Sequence, residues 1–256
     1  MRNVLGLLAG CTLLLASSLA AQENRAWPER TFVTIDVPFQ PLNNDFSESL
    51  SFADTLRKSE SVTFVADYGS TRGALFDVGA GIRLANHVGV GLTSSWFQHS
   101  GSGAFDLKTP NPLVANKPLD LTGTVSGLKR NELGIHVQAL YAVALGERAR
   151  VLLAGGPSIF QTKQDLVRSI EFDTLPGFTS LKFDQALITE VKKTVVGFNV
   201  SADITWTLAS HLGVGTVTRY SRAKLTLDPG AESAVSRAIE LHAGGLQIGG
   251  GIRLLF

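Results

Sequence analysis

The sequence predicts an all-β chain, an antiparallel up-and-down transmembrane β-barrel of about eight strands. Three observations carry that reading. Segments in which apolar residues alternate with small or polar ones recur along the chain, the period-two signature of strands. The connections between these segments alternate between short and long. Beyond the N-terminal region no window holds ~18 consecutive apolar residues, so a membrane-spanning form of this chain has to close a barrel to satisfy its backbone groups.

Residues 1–21 read as a secretory signal peptide and residues 22–256 as the barrel domain. Met1 and Arg2 give a short basic start, and an apolar run follows from Val4 to Leu19. Ser18-Leu19-Ala20 or Leu19-Ala20-Ala21 offers small residues for cleavage. Leu8-Ala9-Gly10-Cys11 resembles the lipobox of lipoproteins, but the apolar run continues through Leu13-Leu14-Leu15, so Cys11 is read as part of the signal. Cys11 is the single cysteine, and cleavage would leave the mature chain without a disulfide framework or thiolate site.

Residues 31–39 form the first strand, with Val33, Ile35, Val37 and Phe39 on its apolar face. Residues 40–72 read as a long loop containing a hairpin near 50–53 and 62–68; if those strands also span, the count rises to ten. Residues 75–84 and 88–97 flank a tight turn at Ala85-Asn86-His87. Residues 99–130 read as a second long loop, followed by a strand over 133–143 and a short link at 144–149. In residues 150–162 the alternation is less regular, and Gly155-Gly156-Pro157 is expected to mark a bulge. Residues 163–193 read as a third long loop. Residues 196–208 alternate most regularly, from Val196 through Trp206 to Leu208. A turn at Ala209-Ser210-His211 leads into a strand over 212–221, and residues 227–240 form a fourth loop.

The chain then closes on Leu246, Ile248, Ile252, Leu254 and Phe256, alternating with Gln247, Gly249, Gly251 and Arg253. This stretch resembles the C-terminal strand of bacterial outer-membrane β-barrels, which ends in Phe after alternating apolar residues. The architecture, with long extracellular loops and short periplasmic turns, is similar to that of the porin-like or outer-membrane protein A-like small barrels. The resemblance implies a place in the cell outer membrane of a Gram-negative bacterium, contact with outer-membrane lipid, and recognition of the last strand by the barrel-assembly machinery.

Internal echoes fit equivalent hairpins. Leu84-Ala85-Asn86-His87-Val88-Gly89-Val90-Gly91 echoes Leu208-Ala209-Ser210-His211-Leu212-Gly213-Val214-Gly215. Gly79-Ala80-Gly81-Ile82-Arg83-Leu84 echoes Gly249-Gly250-Gly251-Ile252-Arg253-Leu254.

Alternation alone does not say which face meets lipid. The faces opposite the apolar ones carry Asp36, Asp77, Arg83, Glu132, His136, Asp203, Arg219 and Arg253 among many glycines. Placed in the lumen of a narrow barrel, these charges need partners. They predict a plugging network of Arg83, Arg219 and Arg253 against Asp36, Asp77, Glu132 and Asp203. Trp96, Tyr141, Trp206, Tyr220 and Phe256 fall near strand ends on the apolar faces, as membrane-interface aromatics do.

The chain has 23 basic and 22 acidic residues, a balance that gives no sign of nucleic-acid binding. No Walker-type or zinc-ligand spacing appears, and no cofactor or metal is expected. The reading is therefore a structural, surface-interaction or minor small-solute pore role, without enzymatic activity. Two alternatives compete with it. An outer-membrane lipid-modifying enzyme would use His136 or His99 as its base. A secreted soluble β-barrel would turn its apolar faces inward around an apolar ligand.

Overall fold

The computed structural model describes residues 27–41, 46–53, 61–68, 72–114, 117–177, 179–227 and 239–256. The expected signal peptide with Cys11, and most of the expected loop over residues 227–240, lie outside these. The described residues form ten strands and no helix. They are β1 (Thr31–Gln40), β2 (Phe46–Ala53), β3 (Ser61–Tyr68), β4 (Gly73–Arg83), β5 (Val88–Thr109), β6 (Leu119–Ala144), β7 (Ala149–Thr174), β8 (Leu181–Ala209), β9 (Leu212–Leu227) and β10 (Ile239–Leu255).

Eight of them close a ring, β1-β4-β5-β6-β7-β8-β9-β10, with every neighbouring pair antiparallel. The terminal strand closes it on the first, from Phe32↔Leu255 to Phe39↔Ile248. β2 and β3 form a hairpin outside the ring. β3 pairs with the upper part of β5, from Thr63↔Lys108 to Tyr68↔Gly103. The count is thus ten strands in the sheet and eight in the barrel.

One end of the ring is finished by short turns. There the two echoed histidines do the same job. His87 Nδ1 lies 3.1 Å from the Ala142 carbonyl and His211 Nδ1 lies 2.9 Å from that of Leu255, so each ties its turn to a neighbouring strand. Each ring also sits against an aromatic, Tyr141 and Phe256 respectively.

The other end departs from the loop expectation. Most of residues 99–130 and 163–193 is strand, not loop: β5 runs to Thr109, β6 starts at Leu119, β7 runs to Thr174 and β8 starts at Leu181. A bilayer needs only ~9–11 residues per strand, whereas β6 and β7 have 26 each and β8 has 29. The surplus of ~15 residues, at ~3.3 Å each and a tilt of ~40°, projects roughly 35–40 Å beyond a segment of bilayer-spanning length.

In that projection the alternation inverts. In the lower ring Val90, Val137, Val200 and Ile252 point outward. In the projection Phe105, Leu107, Leu121, Leu166, Leu225 and Leu241 are buried inside, while Lys108, Asp120, Thr124 and Lys224 face out. The strands do this partly by irregularity: the β5–β6 register shifts at Gly101/Ser102, beside Gly127 at φ 80°. Partly the composition of the inner face changes, as on β9 from Arg219 and Ser221 to Ala223, Leu225 and Leu227. Surrounded by water rather than lipid, a strand keeps its apolar side in.

The projection is also not a continued tube. The β8–β9 ladder ends at Phe198↔Arg222 and the β6–β7 ladder at Arg130↔Gln164. Above these levels the β7–β8 ribbon leans inward. Phe183 packs on Phe105 of β5, with centroids 5.3 Å apart, and Val167 N–H donates to Tyr68 Oη of β3 at 2.9 Å. The ribbon therefore caps the ring. The expected bulge at Gly155-Gly156-Pro157 is not one. The β6–β7 register is the same on both sides, at His136↔Ser158 and Ala139↔Gly155, and only the ladder pauses where Pro157 has no N–H to give.

Candidate functional site: the filled lumen

Period two forces every second residue of eight strands into a ring just wide enough for side chains to fill. What fills it comes in three layers. At the short-turn end the layer is apolar, made of Trp27, Phe32, Leu140, Ala142, Leu152 and Leu255. Trp27 precedes β1, and its backbone N–H donates to the Asn86 carbonyl at 3.0 Å. Arg150 lies over the Trp27 and Phe32 rings, 5.6 and 5.3 Å from their centroids, and its guanidinium donates to Glu29.

The middle layer is polar. Arg253, fully buried, donates through Nη1 to Asp36 Oδ1 at 2.6 Å and through Nη2 to Asp203. Gly215 makes the room: a methyl group there would lie 3.0 Å from Arg253 Nε. Arg219 donates to Asp77 through Nη2 and to Gln247 Oε1 through Nε at 2.7 Å. Asp36 and Asp77 face each other in the β1–β4 register, so each carboxylate needs its own guanidinium to be held there. Of the residues expected in an arginine–carboxylate network, the structure brings these five together.

Two expectations need correction. Among the described residues Arg83 joins no carboxylate; it donates to the Trp27 carbonyl and ties down the segment before β1. Its echo of Arg253 ends in a different partner because Arg83 lies at the strand end, beside the entering chain. Glu132 is not paired with any of the three expected arginines. Its partners are Arg130 Nη2 at 3.2 Å and the Gly244 N–H at 2.8 Å. Arg130 was missed because it fell inside the expected loop; its Nη2 also crosses to the His242 carbonyl at 2.7 Å.

His136 is fully buried, 3.1 Å from Ser95 Oγ through Nε2 and 2.7 Å from Ser158 Oγ through Nδ1. Asn199 Nδ2 donates to the same Ser158 hydroxyl at 2.8 Å, and Gln138 Nε2 donates to Asn199 Oδ1 at 2.7 Å. This is a satisfied polar chain, each member held by the next. These amides and hydroxyls were legible only as parity: each sits on an inward position, but nothing local marks it as a network member. Between Phe32 and Arg219 the lumen keeps a cavity of about 50 Å³, room for a few waters.

The third layer is the buried apolar core of the projection. Beside it, partial burial and then the flanking Arg222 and Lys224 cations lower the pKa of His242, whose Nε2 lies 2.9 Å from Arg222 Nη2.

The outside mirrors this. Ile35, Val37, Leu92, Val137, Val200, Ile204, Val214, Ile248 and Ile252 form an exposed apolar belt. Its edges are aromatic. Tyr141, Trp206 and Phe256 lie toward the short-turn end; Trp96 and Tyr220, with Phe39, Phe76 and Phe198, lie toward the projection. Trp206 and Phe198 on β8 are separated by about 20 Å along the axis, from ~3.3 Å per tilted residue, close to the ~25 Å band of such barrels. The five expected interface aromatics thus lie on the outer face. The soluble alternative, with apolar faces inward, fails for the ring itself.

No protein-family profile and no curated protein matches the sequence. Among solved structures the chain is similar to the outer membrane protein OprG from Pseudomonas aeruginosa, with 9% identity over 92% of this chain and 99% of that one, at a TM-score of 0.51. It also matches Neisserial surface protein A, with 12% identity, 88% and 97% coverage and a TM-score of 0.40. A further match is the outer membrane protease OmpT from Escherichia coli, with 8% identity, 90% and 98% coverage and a TM-score of 0.47. The likeness to OprG shows the fold: that of a small bacterial outer-membrane β-barrel.

Proposed function

We propose that this outer-membrane barrel is a closed membrane anchor whose capped projection is its working surface outside the cell. The single observation behind this reading is the three-layer filling of the lumen: apolar, then charged, then apolar again. A selective pore uses an aqueous path lined with an excess of one charge. Here the guanidiniums and carboxylates face each other at bonding distance, and the cavity among them holds a few waters. The short-turn end is taken as periplasmic and the projection as extracellular, in line with the asymmetry of such barrels.

A structural or surface-interaction role follows, since rigid strands carry the outward-facing polar residues of β5 to β10 clear of the lipid. Catalysis at His136 would require a substrate to displace Ser95 and Ser158 from a fully enclosed ring. The test is conductance. Protein extracted from outer membranes should migrate faster unheated than boiled, the mark of a closed barrel. In planar bilayers it should then give no stable single-channel steps. Large, long-lived steps from heat-modifiable protein would overturn the plugged reading.

A further inference from the structure

We propose that the outer wall over β1, β4, β5, β6 and β7 holds a site for one phosphorylated glycolipid of the outer leaflet. The inference rests on the membrane placement argued above. A groove of about 670 Å³ lies there. Its floor is apolar and aromatic: Val37, Phe76, Trp96 and Leu133. Its rim, toward the projection, is Gln98, Asn131 and Lys163, while Gln161 ends the floor row beside Leu133.

The register builds this contrast. Phe76↔Trp96 and Trp96↔Leu133 put three apolar side chains in one row across β4, β5 and β6. One step up each strand, Gln98↔Asn131, Asn131↔Lys163 and Lys163↔Lys192 make a second row of two amides and two cations. Polarity therefore changes over one pair of residues, at the level of the upper aromatic edge. That is where acyl chains give way to headgroups. Lys129 is exposed on β6, two residues above Asn131.

The chemistry selects the occupant. An acyl chain fits the aromatic floor, and amide groups pair with sugar hydroxyls. Lysine ammonium groups bind phosphate as point charges. Two carboxylates stand near: Glu190 is 3.4 Å from Lys163 Nζ, and Asp165 accepts the Lys129 backbone N–H at 3.0 Å. Lys192 and Lys129 make no ion pair among the described residues. A zwitterionic phospholipid would satisfy the floor but would leave the cationic row unmatched.

The experiment uses the full-length mature protein in phosphatidylcholine nanodiscs carrying a small fraction of bis-phosphorylated lipid A, dephosphorylated lipid A, or phosphatidylglycerol. Retained lipid is counted by native mass spectrometry. Trp96 emission, isolated by subtracting the Trp96→Phe variant, reports the floor. Bis-phosphorylated lipid A should be retained preferentially. Lys163→Gln with Lys192→Gln should weaken retention about 25-fold, at about five-fold per lysine. Lys163→Arg should stay near wild type, and Lys224→Gln on the far side should change nothing. Equal retention of the three lipids, or no loss in the double variant, would overturn the inference. Heat-modifiable migration is run on every sample. A wild-type protein that fails to insert would refute the membrane reading instead, whereas insertion without lipid selectivity refutes this inference alone.

Discussion

Replacing Arg253 with methionine should be among the most damaging single changes available to this barrel. The guanidinium is fully buried and holds two carboxylates at once, Asp36 at 2.6 Å and Asp203 beside it. Methionine matches the stem of the side chain as far as Nε and omits only the terminal carbon with its two polar nitrogens, so the loss of apolar packing is small. The electrostatic loss is not. Removing one partner of a buried ion pair costs ~3–5 kcal/mol because the other charge is left uncompensated. Here two carboxylates lose their cation, and Asp36 already faces Asp77 across the β1–β4 register. The upper end, about 5 kcal/mol, is expected, a drop of more than a thousand-fold in the folding constant. The measurement is urea unfolding at neutral pH in detergent micelles, followed by the shift from the fast to the slow gel band. Arg253→Met combined with Asp36→Asn and Asp203→Asn should recover most of the loss, since no buried charge then stands alone. If the single variant costs less than about 1 kcal/mol, or the triple is as unstable as the single, the lumen is not held by this network.

Three further outcomes are expected. Val137→Lys, at mid-belt on the outer face, should cost about 2–4 kcal/mol in lipid vesicles, whereas Thr124→Lys on the projection should be near neutral; equal costs would contradict the placement of the belt. A methyl group on Gly81 would overlap the Phe32 ring and lie 2.9 Å from Leu140 Cδ1, so Gly81→Ala should destabilise by roughly 1–3 kcal/mol. Phe32→Leu in the same chain should relieve part of it, and strict additivity of the two in unfolding experiments would argue against the clash. Tyr68→Phe removes the acceptor of the Val167 N–H and leaves a buried donor unpaired, costing about 1–3 kcal/mol locally. Faster hydrogen exchange at Val167 is the readout, and unchanged protection would show that the cap does not depend on this bond.

Much of the ring was legible in the sequence. Alternation located its eight strands, and the echoed histidine turns lie at the short-turn end. Inward parity picked out Asp36, Asp77, Asp203, Arg219 and Arg253, because a charge on every second position of a strand whose other face is apolar has only the lumen to occupy. The same rule put Trp96, Tyr141, Trp206, Tyr220 and Phe256 outside. The projection was not legible. Residues 99–130 are rich in glycine and serine and residues 163–193 in charge, and their alternation is broken by the register shifts at Gly101/Ser102, Val167/Ser169 and Glu171/Phe172. A frame shift of one residue swaps the faces, so a continuous pattern is lost exactly where the strand continues.

For the ring, though not for the projection, the chain by itself thus determined which residues form strands and which side of the wall each side chain takes. Both follow from period two, a local property of the backbone. Tertiary structure alone decided who meets whom. Arg253 reaches Asp36 on its ring neighbour β1 and Asp203 on β8, Arg83 turns to the Trp27 carbonyl, and Arg130 crosses to β10. These partners depend on the stagger of eight closed strands, which no single strand encodes. The cap likewise depends on the β7–β8 ribbon leaving the ring above Phe198↔Arg222, where lipid ends and water makes burying the inner face favourable.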